Sequence, residues 1–509
     1  MAKIDASDIR LSGIEKERFV VRRIRKYLPE YPIVMLSGPR KVGKTTALLQ
    51  LAAENDNAEY IDCGEEEDKA RLKELLYSEF DGLLLVDEFQ KLHRHQDWIQ
   101  AFHNRAGKYE RFRTVLTGSV SAYTSFISNV KGGGRNKLLR MPFITYLEYL
   151  YFRNIIPDYG VNLSEVEYGD SFLDYMMLKD LKISERPVID GAYVEDAAQD
   201  IAGVRSVSSY STNFLNCTTD DVRRALLLLA YRLTSLFNLE TTFRDPAFGN
   251  RELKFPIFDD LLNAGLLDGL SVWEAVKAST TNEQINAALS YILLSDLALC
   301  NFEIGRLDEE TDTSVLTKLW RGAYLSEPEL QSLFSNTTQI FAVNPIIYSA
   351  ITEDLWKTLY GYVKSSQDKT TQLFLFLRQK LSNRDGFLRD SYIVGLWIES
   401  YLRGAYAMMN RNTPLITKNF RSAQREEIDI AEGAPCNVLI EVAVRKEEKK
   451  KEDVNFHLAY TGSEQCFLTT KRILEKVVWN GVPIWRIPYP MLAAYIDRGE
   501  LPDDTELSI

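Results

Sequence analysis

Cysteine and histidine are scarce in this chain, whose 509 residues include five cysteines and four histidines. The cysteines lie far apart and form no CxxC pair, which excludes a disulfide framework and the common zinc motifs. Long apolar runs are also missing, because the longest candidate, residues 226–230 (LLLLA), is followed at once by Tyr231 and Arg232. The first residues, MAKIDASDIR, contain no apolar signal core. We therefore expect a reduced, cytoplasmic protein with no membrane contact.

An excess of positive charge is lacking as well. Lysine and arginine together number 61, against 72 aspartates and glutamates, so the net charge is -11 and the pI is about 5.2. Such a surface as a whole is not a nucleic-acid footprint, and any contact with DNA has to be a local patch. The length exceeds what one hydrophobic core supports, which predicts two or three domains.

Apolar and amphipathic segments alternate in the first part of the chain. Residues 33–37, 82–86 and 114–117 are short apolar runs typical of buried strands, and helical patterns separate them. This alternation predicts an α/β fold built on a parallel sheet, as in P-loop NTPases.

The pattern changes twice after residue 158. Residues 159–390 are mostly helical in pattern, for example at 221–237 and 285–299, and 285–303 suggests the last helix of a winged-helix unit. A helix at 391–409 and short strands after it predict a small α/β domain. We therefore predict three domains, at 1–158, 159–390 and 391–509.

A glycine-rich loop follows the first predicted strand. Residues 38–45 (GPRKVGKT) match G-x-x-x-x-G-K-[ST] at every fixed position, between a buried strand and a helix. Backbone N–H groups of such a loop and the N-terminal end of the helix point at phosphate oxygens, the lysine lies between the β- and γ-phosphates, and the threonine hydroxyl binds Mg²⁺. The predicted nucleotide-binding residues are Gly38, Pro39, Arg40, Lys41, Val42, Gly43, Lys44, Thr45 and Thr46.

An acidic pair ends the strand at 82–86. Asp87 and Glu88 emerge at the carboxyl end of this strand, the edge at which ligands bind in open α/β sheets. Asp87 is predicted to hold Mg²⁺ with Thr45, and Glu88 to polarise the attacking water. The alternative is an acidic pair that merely caps the next segment. A carboxylate at Glu88 favours hydrolysis over passive binding.

Three further side chains are candidates for contact with the γ-phosphate. Thr117 and Ser119 lie where the strand at 114–117 ends, although an ordinary exit from a strand explains them nearly as well. Arg135 follows Lys131 and three glycines, a loop flexible enough to bring a guanidinium to the site of the same or of a second molecule. The alternative for Arg135 is a surface arginine.

Several of these motifs together resemble those of the prokaryotic, archaeal-type AAA ATPases. They are GPRKVGKT, LLLVDEFQ with Trp98 shortly after, LTGS, and GGR followed by MPF and EYL. The resemblance is specific over residues 30–150, weak over 160–340, and returns at 341–345 and 391–491. It implies an ATPase core, a helical or winged-helix region, and a C-terminal domain with the PD-(D/E)xK nuclease-like fold. The preference for ATP over GTP depends on this resemblance.

The resemblance also implies the positions of a nuclease-like site. Its carboxylates correspond to Glu399, Asp429 and Glu441, and alanine stands at 443 where the family pattern has lysine. Alanine cannot position or activate a water, and the nearby Arg445 stays protonated and cannot act as a base. The site is therefore expected to be degenerate, in a domain that docks a partner or DNA.

The function predicted from the sequence is binding and hydrolysis of Mg-ATP, coupled to movement of the later domains. Two alternatives remain open. One is an ATP-regulated protein that binds or cleaves DNA, and the other is a non-catalytic, nucleotide-gated scaffold in a defence or mobile-element system. The oligomeric state is not predicted.

Overall fold

The computed structural model describes most of the N-terminal half of the chain and parts of the rest. The described residues are 16–92, 95–120, 135–207, 217–223, 225–226, 281–304, 326, 328–329, 338–350, 391–410, 416–421, 427–432, 437–443, 465–479 and 481–507. Arg445 and the glycines before Arg135 lie outside them. Within these ranges no helix has both the length and the apolar character needed to cross a membrane.

Five parallel strands form the N-terminal sheet. They are β1 (Ile33–Ser37), β2 (Ala58–Asp62), β3 (Leu83–Asp87), β4 (Arg113–Thr117) and β5 (Asn136–Arg140). Their order is β2-β3-β4-β1-β5, and every neighbouring pair is parallel. All residues of β1 are buried, because both faces of this interior strand are covered. The predicted α/β class is confirmed for this part of the chain.

Five helices alternate with or flank these strands along the chain. They are α1 (Phe19–Tyr27), α2 (Lys44–Glu54), α3 (Glu66–Tyr77), α4 (His95–Lys108) and α5 (Tyr146–Phe152). Helix α1 buries an apolar face that includes Val21 and Ile24, and Arg25 on its other side bonds to Glu54 of α2. Because all five strands run in the same direction, their carboxyl ends meet at one edge of the sheet.

The middle part contains both helices and strands. Its described elements are α6 (Ser171–Met176), α7 (Gly191–Val207), α8 (Asn282–Leu294), β6 (Ala298–Ile304), β7 (Thr338–Ala342) and α9 (Ile346–Ala350). The helices predicted at 285–299 and 285–303 are therefore wrong beyond Leu294. Asp296 takes a left-handed φ of +61°, which a right-handed helix does not allow, and β6 begins two residues later.

The C-terminal part begins with the predicted helix and continues mainly as strands. Its elements are α10 (Ser391–Asn410), β8 (Ile416–Arg421), β9 (Glu427–Ile428), β10 (Ile430–Glu432), β11 (Val438–Glu441), β12 (Gln465–Thr470), β13 (Glu475–Trp479), β14 (Val482–Pro488), α11 (Tyr489–Arg498) and α12 (Asp504–Leu507). Five of its strands form a sheet in the order β10-β11-β12-β14-β13. The other sheet, β7-β6-β8-β9, joins strands from both sides of the predicted boundary at 390. The division into three domains stays a prediction, and hydrogen-bonded strands cross its second boundary.

The C-terminal part also packs on the N-terminal domain. Asp497 of α11 is half-buried there, and its carboxylate accepts hydrogen bonds from Tyr401 Oη at 2.7 Å and from the N–H of Leu147 at 3.0 Å. Burial raises the pKa of Asp497 from 3.8 to about 7, although both hydrogen bonds act in the opposite direction.

The raised pKa of Asp497 predicts a pH-dependent stability. The folded protein holds this proton more tightly than the unfolded chain, so the free energy of unfolding falls as the pH rises from about 4 to about 7. In Asp497→Asn this falling component is expected to be absent. Thermal unfolding of both proteins across that pH range tests it, and parallel profiles would contradict the prediction.

Candidate functional site

The loop after β1 has the backbone geometry of a phosphate-binding loop. Gly43 has a φ of +90°, a conformation that favours glycine, and helix α2 begins at the next residue. At Gly38 a Cβ atom would lie 2.1 Å from the carbonyl oxygen of Met141, so no larger residue fits there. The N-terminal N–H groups of α2 therefore face the loop, which is the arrangement that binds anions.

Lys44 is buried inside this loop. Its Nζ atom donates to the carbonyl oxygens of Gly38 and Pro39, at 2.8 and 2.7 Å. Burial lowers the pKa of Lys44 to about 8, while the nearby Glu88 and Asp87 act to raise it. The ammonium thus remains the main form at neutral pH, close to the helix terminus and in reach of a phosphate chain.

Asp87 lies beside the loop, at the end of β3. It accepts hydrogen bonds from Thr45 Oγ1 at 2.6 Å, from Tyr60 Oη at 3.2 Å, and from the Thr117 hydroxyl. Carboxylate and hydroxyl oxygens are the hard ligands that Mg²⁺ prefers. The pairing of Thr45 with Asp87 therefore fits a magnesium ion that takes its remaining ligands from phosphates and water.

Glu88, the next residue, is half-buried. It has a φ of +50°, a strained conformation for a residue with a side chain. Its carboxylate accepts hydrogen bonds from Ser119 Oγ at 2.9 Å and from the Gln90 amide. Burial first, and then the charges of Asp200 and Asp87, raise the pKa of Glu88. A carboxylate with a raised pKa is a stronger base than an exposed one.

The hydroxyls of Thr117, at the end of β4, and of Ser119, two residues later, lie beside the acidic pair. Thr117 bonds to Asp87 and Ser119 bonds to Glu88, so each contacts one member of the acidic pair. Parallel strands explain this, since β3 and β4 are neighbours and end at the same edge.

Arg135 lies at the other end of the sheet. It directly precedes β5, whose first residue pairs with Ile33 at the start of β1, whereas the phosphate loop follows the last residue of β1. It is exposed, and it lies near His103 of α4, whose imidazole pKa is lowered mainly by burial and then by this guanidinium. At about 3.3 Å per residue, a five-residue strand separates the two ends by roughly 13 Å. The structure therefore does not bring Arg135 to the site of its own chain.

Acidic residues around α7 contact the phosphate loop, which the motifs did not predict. Arg40 forms ion pairs with Asp196, at 3.3 Å, and with Asp200. Lys41 pairs with Asp190 at 3.5 Å. The i, i+4 spacing of Asp196 and Asp200 places both on one helix face, but nothing local indicates which surface that face contacts.

Asp200 is expected to weaken nucleotide binding. Its carboxylate neutralises Arg40 and repels a phosphate chain, so Asp200→Asn should tighten ATP binding about tenfold, which equals about 1.4 kcal/mol. The dissociation constant for ATP measures this. Asp196→Asn is the matched control, because Asp196 is the more exposed partner and its removal should have a smaller effect. Weaker binding in Asp200→Asn would contradict the prediction.

A second contact from the middle part reaches the end of β5. The buried Arg140 is ion-paired with Asp296, and Ser37 Oγ donates to the same carboxylate at 3.5 Å. Burial raises the pKa of Asp296, whereas Arg140 and Lys44 act to lower it. The turn between α8 and β6 is thus anchored at the carboxyl edge of the sheet, beside the phosphate loop.

The groups around the phosphate loop line a cavity of about 350 Å³. Its walls combine the loop and the acidic pair with a segment of the middle part that runs from Ser184 to Pro187. The cavity is polar where the loop contributes, as a site for a charged ligand requires.

Two of the three predicted nuclease-like residues, Glu399 and Asp429, form a separate cluster around Arg403 of α10. The buried guanidinium lies 2.8 Å from Glu399 and 3.3 Å from Asp429, and it also bonds to Asn301 of β6. Asp429 in turn accepts from the N–H of Val442, next to Glu441. Within the described residues no group of three or more histidines, cysteines or acidic residues could hold a metal ion.

A family model described as an AAA domain matches residues 30–150 of the chain. A comparison with curated protein sequences gave no match. Among solved structures, a Walker-type ATPase of Pyrococcus abyssi is 14% identical, over 72% of this chain and 98% of that one, with a TM-score of 0.25. A replication initiator DnaA, bound to AMPPCP and single-stranded DNA, is 12% identical, over 72% and 92%, with a TM-score of 0.21. Scores this low carry no information on substrate or partner. On the family match, residues 30–150 are an AAA-family P-loop ATPase domain.

Proposed function

We propose that this domain binds Mg-ATP and hydrolyses it, and that its nucleotide state moves the middle and C-terminal parts of the chain. One observation carries the proposal. The buried ammonium of Lys44, the Thr45–Asp87 pair and the Glu88 carboxylate converge at one edge of the sheet, around a helix N-terminus. Each of these groups has a distinct part in phosphoryl transfer, and together they favour hydrolysis over passive binding.

Each group at this edge has its own role in the proposed reaction. Lys44 and the loop N–H groups bind and orient the phosphates, and the helix terminus adds positive potential. Glu88 orients the attacking water and accepts its proton, while Ser119 holds the carboxylate in place. Thr45 and Asp87 would hold Mg²⁺, which supplies positive charge to the β- and γ-phosphates when bound. Arg135 could take part only in the site of a second molecule.

Contacts between the parts of the chain support the coupling. Asp200 pairs with Arg40 of the loop, and Asp296 pairs with Arg140 next to it. A γ-phosphate that attracts Arg40 competes with Asp200 for the guanidinium. The nucleotide therefore has differential contacts with the middle part, as a conformational switch requires.

For the C-terminal part we propose a nuclease-like fold without nuclease activity. Ala443 replaces the lysine, and the guanidinium of Arg403 already neutralises Glu399 and Asp429. A buried arginine between two carboxylates is a structural ion-pair cluster that disfavours a divalent cation at the same place. Docking of DNA or of a protein partner remains the proposed use of this part.

ATP turnover by the full chain tests the proposal, measured with Mg²⁺ and with a chelator, and with and without linear DNA. Mg²⁺-dependent turnover is expected. Tight ATP binding without turnover would favour the scaffold, and stimulation by DNA would favour a nucleic-acid partner. Mg²⁺-dependent DNA cleavage that is lost in Asp429→Asn and Glu441→Gln would contradict the assignment of a degenerate nuclease-like site.

A further inference from the structure

Arg18 lies directly behind the phosphate loop although it is outside every motif. It precedes α1, it is almost fully buried, and its Nη1 atom donates to the carbonyl oxygen of Val42 at 2.5 Å. A Cβ atom at Gly43 would lie 2.7 Å from the same nitrogen. The peptide groups at 42 and 43, which belong to the proposed phosphate-binding loop, thus pack against this guanidinium.

The other side of the Arg18 guanidinium is held by Glu148. The pair is bidentate, with Nε to Oε1 at 2.7 Å and Nη2 to Oε2 at 3.2 Å, and the two side chains are only 5% and 3% exposed. Glu148 also accepts from the N–H groups of Phe19 and Thr145. A buried ion pair adds little stability on its own, but its two-point geometry fixes orientation.

Glu148 belongs to the first turn of α5, and the C-terminal part caps that same turn. Tyr401 of α10 accepts a hydrogen bond from the N–H of Tyr146 at 2.8 Å, and its hydroxyl donates to Asp497 of α11. Asp497 also accepts from the N–H of Leu147. An unbroken series of hydrogen bonds and covalent links therefore runs from Val42 to α10 and α11.

We propose that Arg18 is a positioning residue of the nucleotide site, and that it couples the phosphate loop through Glu148 and the start of α5 to the C-terminal helices. The inference rests on the proposed ATP binding and names the contacts that carry its coupling. Coupling is reciprocal, so a change at Tyr401 must alter the affinity for ATP, and bound ATP must alter the docking of α10 and α11.

Two variants test the coupling from its two ends, with the affinity for a fluorescent ATP analogue as the readout. Arg18→Lys keeps the charge but cannot bond Val42 and both oxygens of Glu148 at once. Tyr401→Phe removes one hydroxyl far from the nucleotide. Each is expected to weaken binding about 5- to 10-fold, and the double variant should lose less than the product of the two effects.

Tyr168→Phe is the matched control, since it also removes a buried tyrosine hydroxyl, one that donates to the carbonyl of Leu163 instead. Thermal unfolding of all variants separates stability from affinity. If Tyr401→Phe and Tyr168→Phe lose similar stability and both bind the analogue like the wild type, Tyr401 is merely structural and the coupling is wrong, while the proposed ATPase stands. If the wild-type chain does not bind the analogue, both proposals fall. Tyr401→Phe tests the coupling even if Arg18→Lys does not fold.

Discussion

Replacing Glu88 with glutamine is expected to leave ATP binding within about twofold of the wild type and to lower steady-state turnover by about 10²- to 10⁴-fold, the usual contribution of a general base. Glutamine has the same size and can still accept the hydrogen bond from Ser119. It cannot accept a proton from water. ATP binding and phosphate release, measured on the same preparation, separate the two effects.

The pH dependence of turnover gives a second test of the same residue. Glu88 acts as a base only when it is deprotonated, and burial raises its pKa. Turnover by the wild type should therefore rise with pH through this raised pKa. The residual activity of Glu88→Gln should not show this rise. Glu66→Gln, on the exposed face of α3, is the control and should behave like the wild type. Undiminished hydrolysis in Glu88→Gln would show that Glu88 is not the general base.

Replacing Lys44 with alanine is expected to weaken ATP binding at least about 100-fold, because a charge-assisted contact to two phosphates is lost from a buried site. The fold should survive, since the substitution removes a desolvated ammonium whose partners are loop carbonyls. Titration calorimetry with ATP measures the loss, and thermal unfolding of the same sample measures the fold.

The matched control for Lys44→Ala is Lys69→Ala. Lys69 is on α3 and pairs with the exposed Glu66, so its removal changes the net charge by the same amount away from the loop. Equal affinity for ATP in Lys44→Ala and Lys69→Ala would overturn the assignment of the phosphate site.

The central predictions about the ATPase domain needed no more than local sequence. The strand, the glycine loop and the helix are contiguous, so the backbone conformation of residues 38–45 depends mainly on local sequence. Asp87 ends β3 and therefore lies at the edge where the carboxyl ends of the parallel strands meet, beside Thr45. The prediction for Arg135 depended on a loop whose path the sequence does not determine, and the register of β5 against β1 places this residue at the opposite end. The prediction of a helix up to residue 299 was wrong because Asp296 has a left-handed backbone conformation. The chain turns at this residue, where its side chain forms the ion pair with Arg140.

The sequence alone therefore determined which side chains form the candidate phosphate site, because they belong to short segments with their own backbone preferences. The tertiary structure decided which other side chains surround this site and which side chain lies among the C-terminal carboxylates. Arg18 reaches Val42 and Glu148, Asp200 reaches Arg40, and Arg403 occupies the carboxylate cluster. Two of these pairs, Arg18 with Glu148 and Arg40 with Asp200, are more than 100 residues apart along the chain. Their contacts depend on how helices and sheets pack, a long-range property that residue spacing does not record.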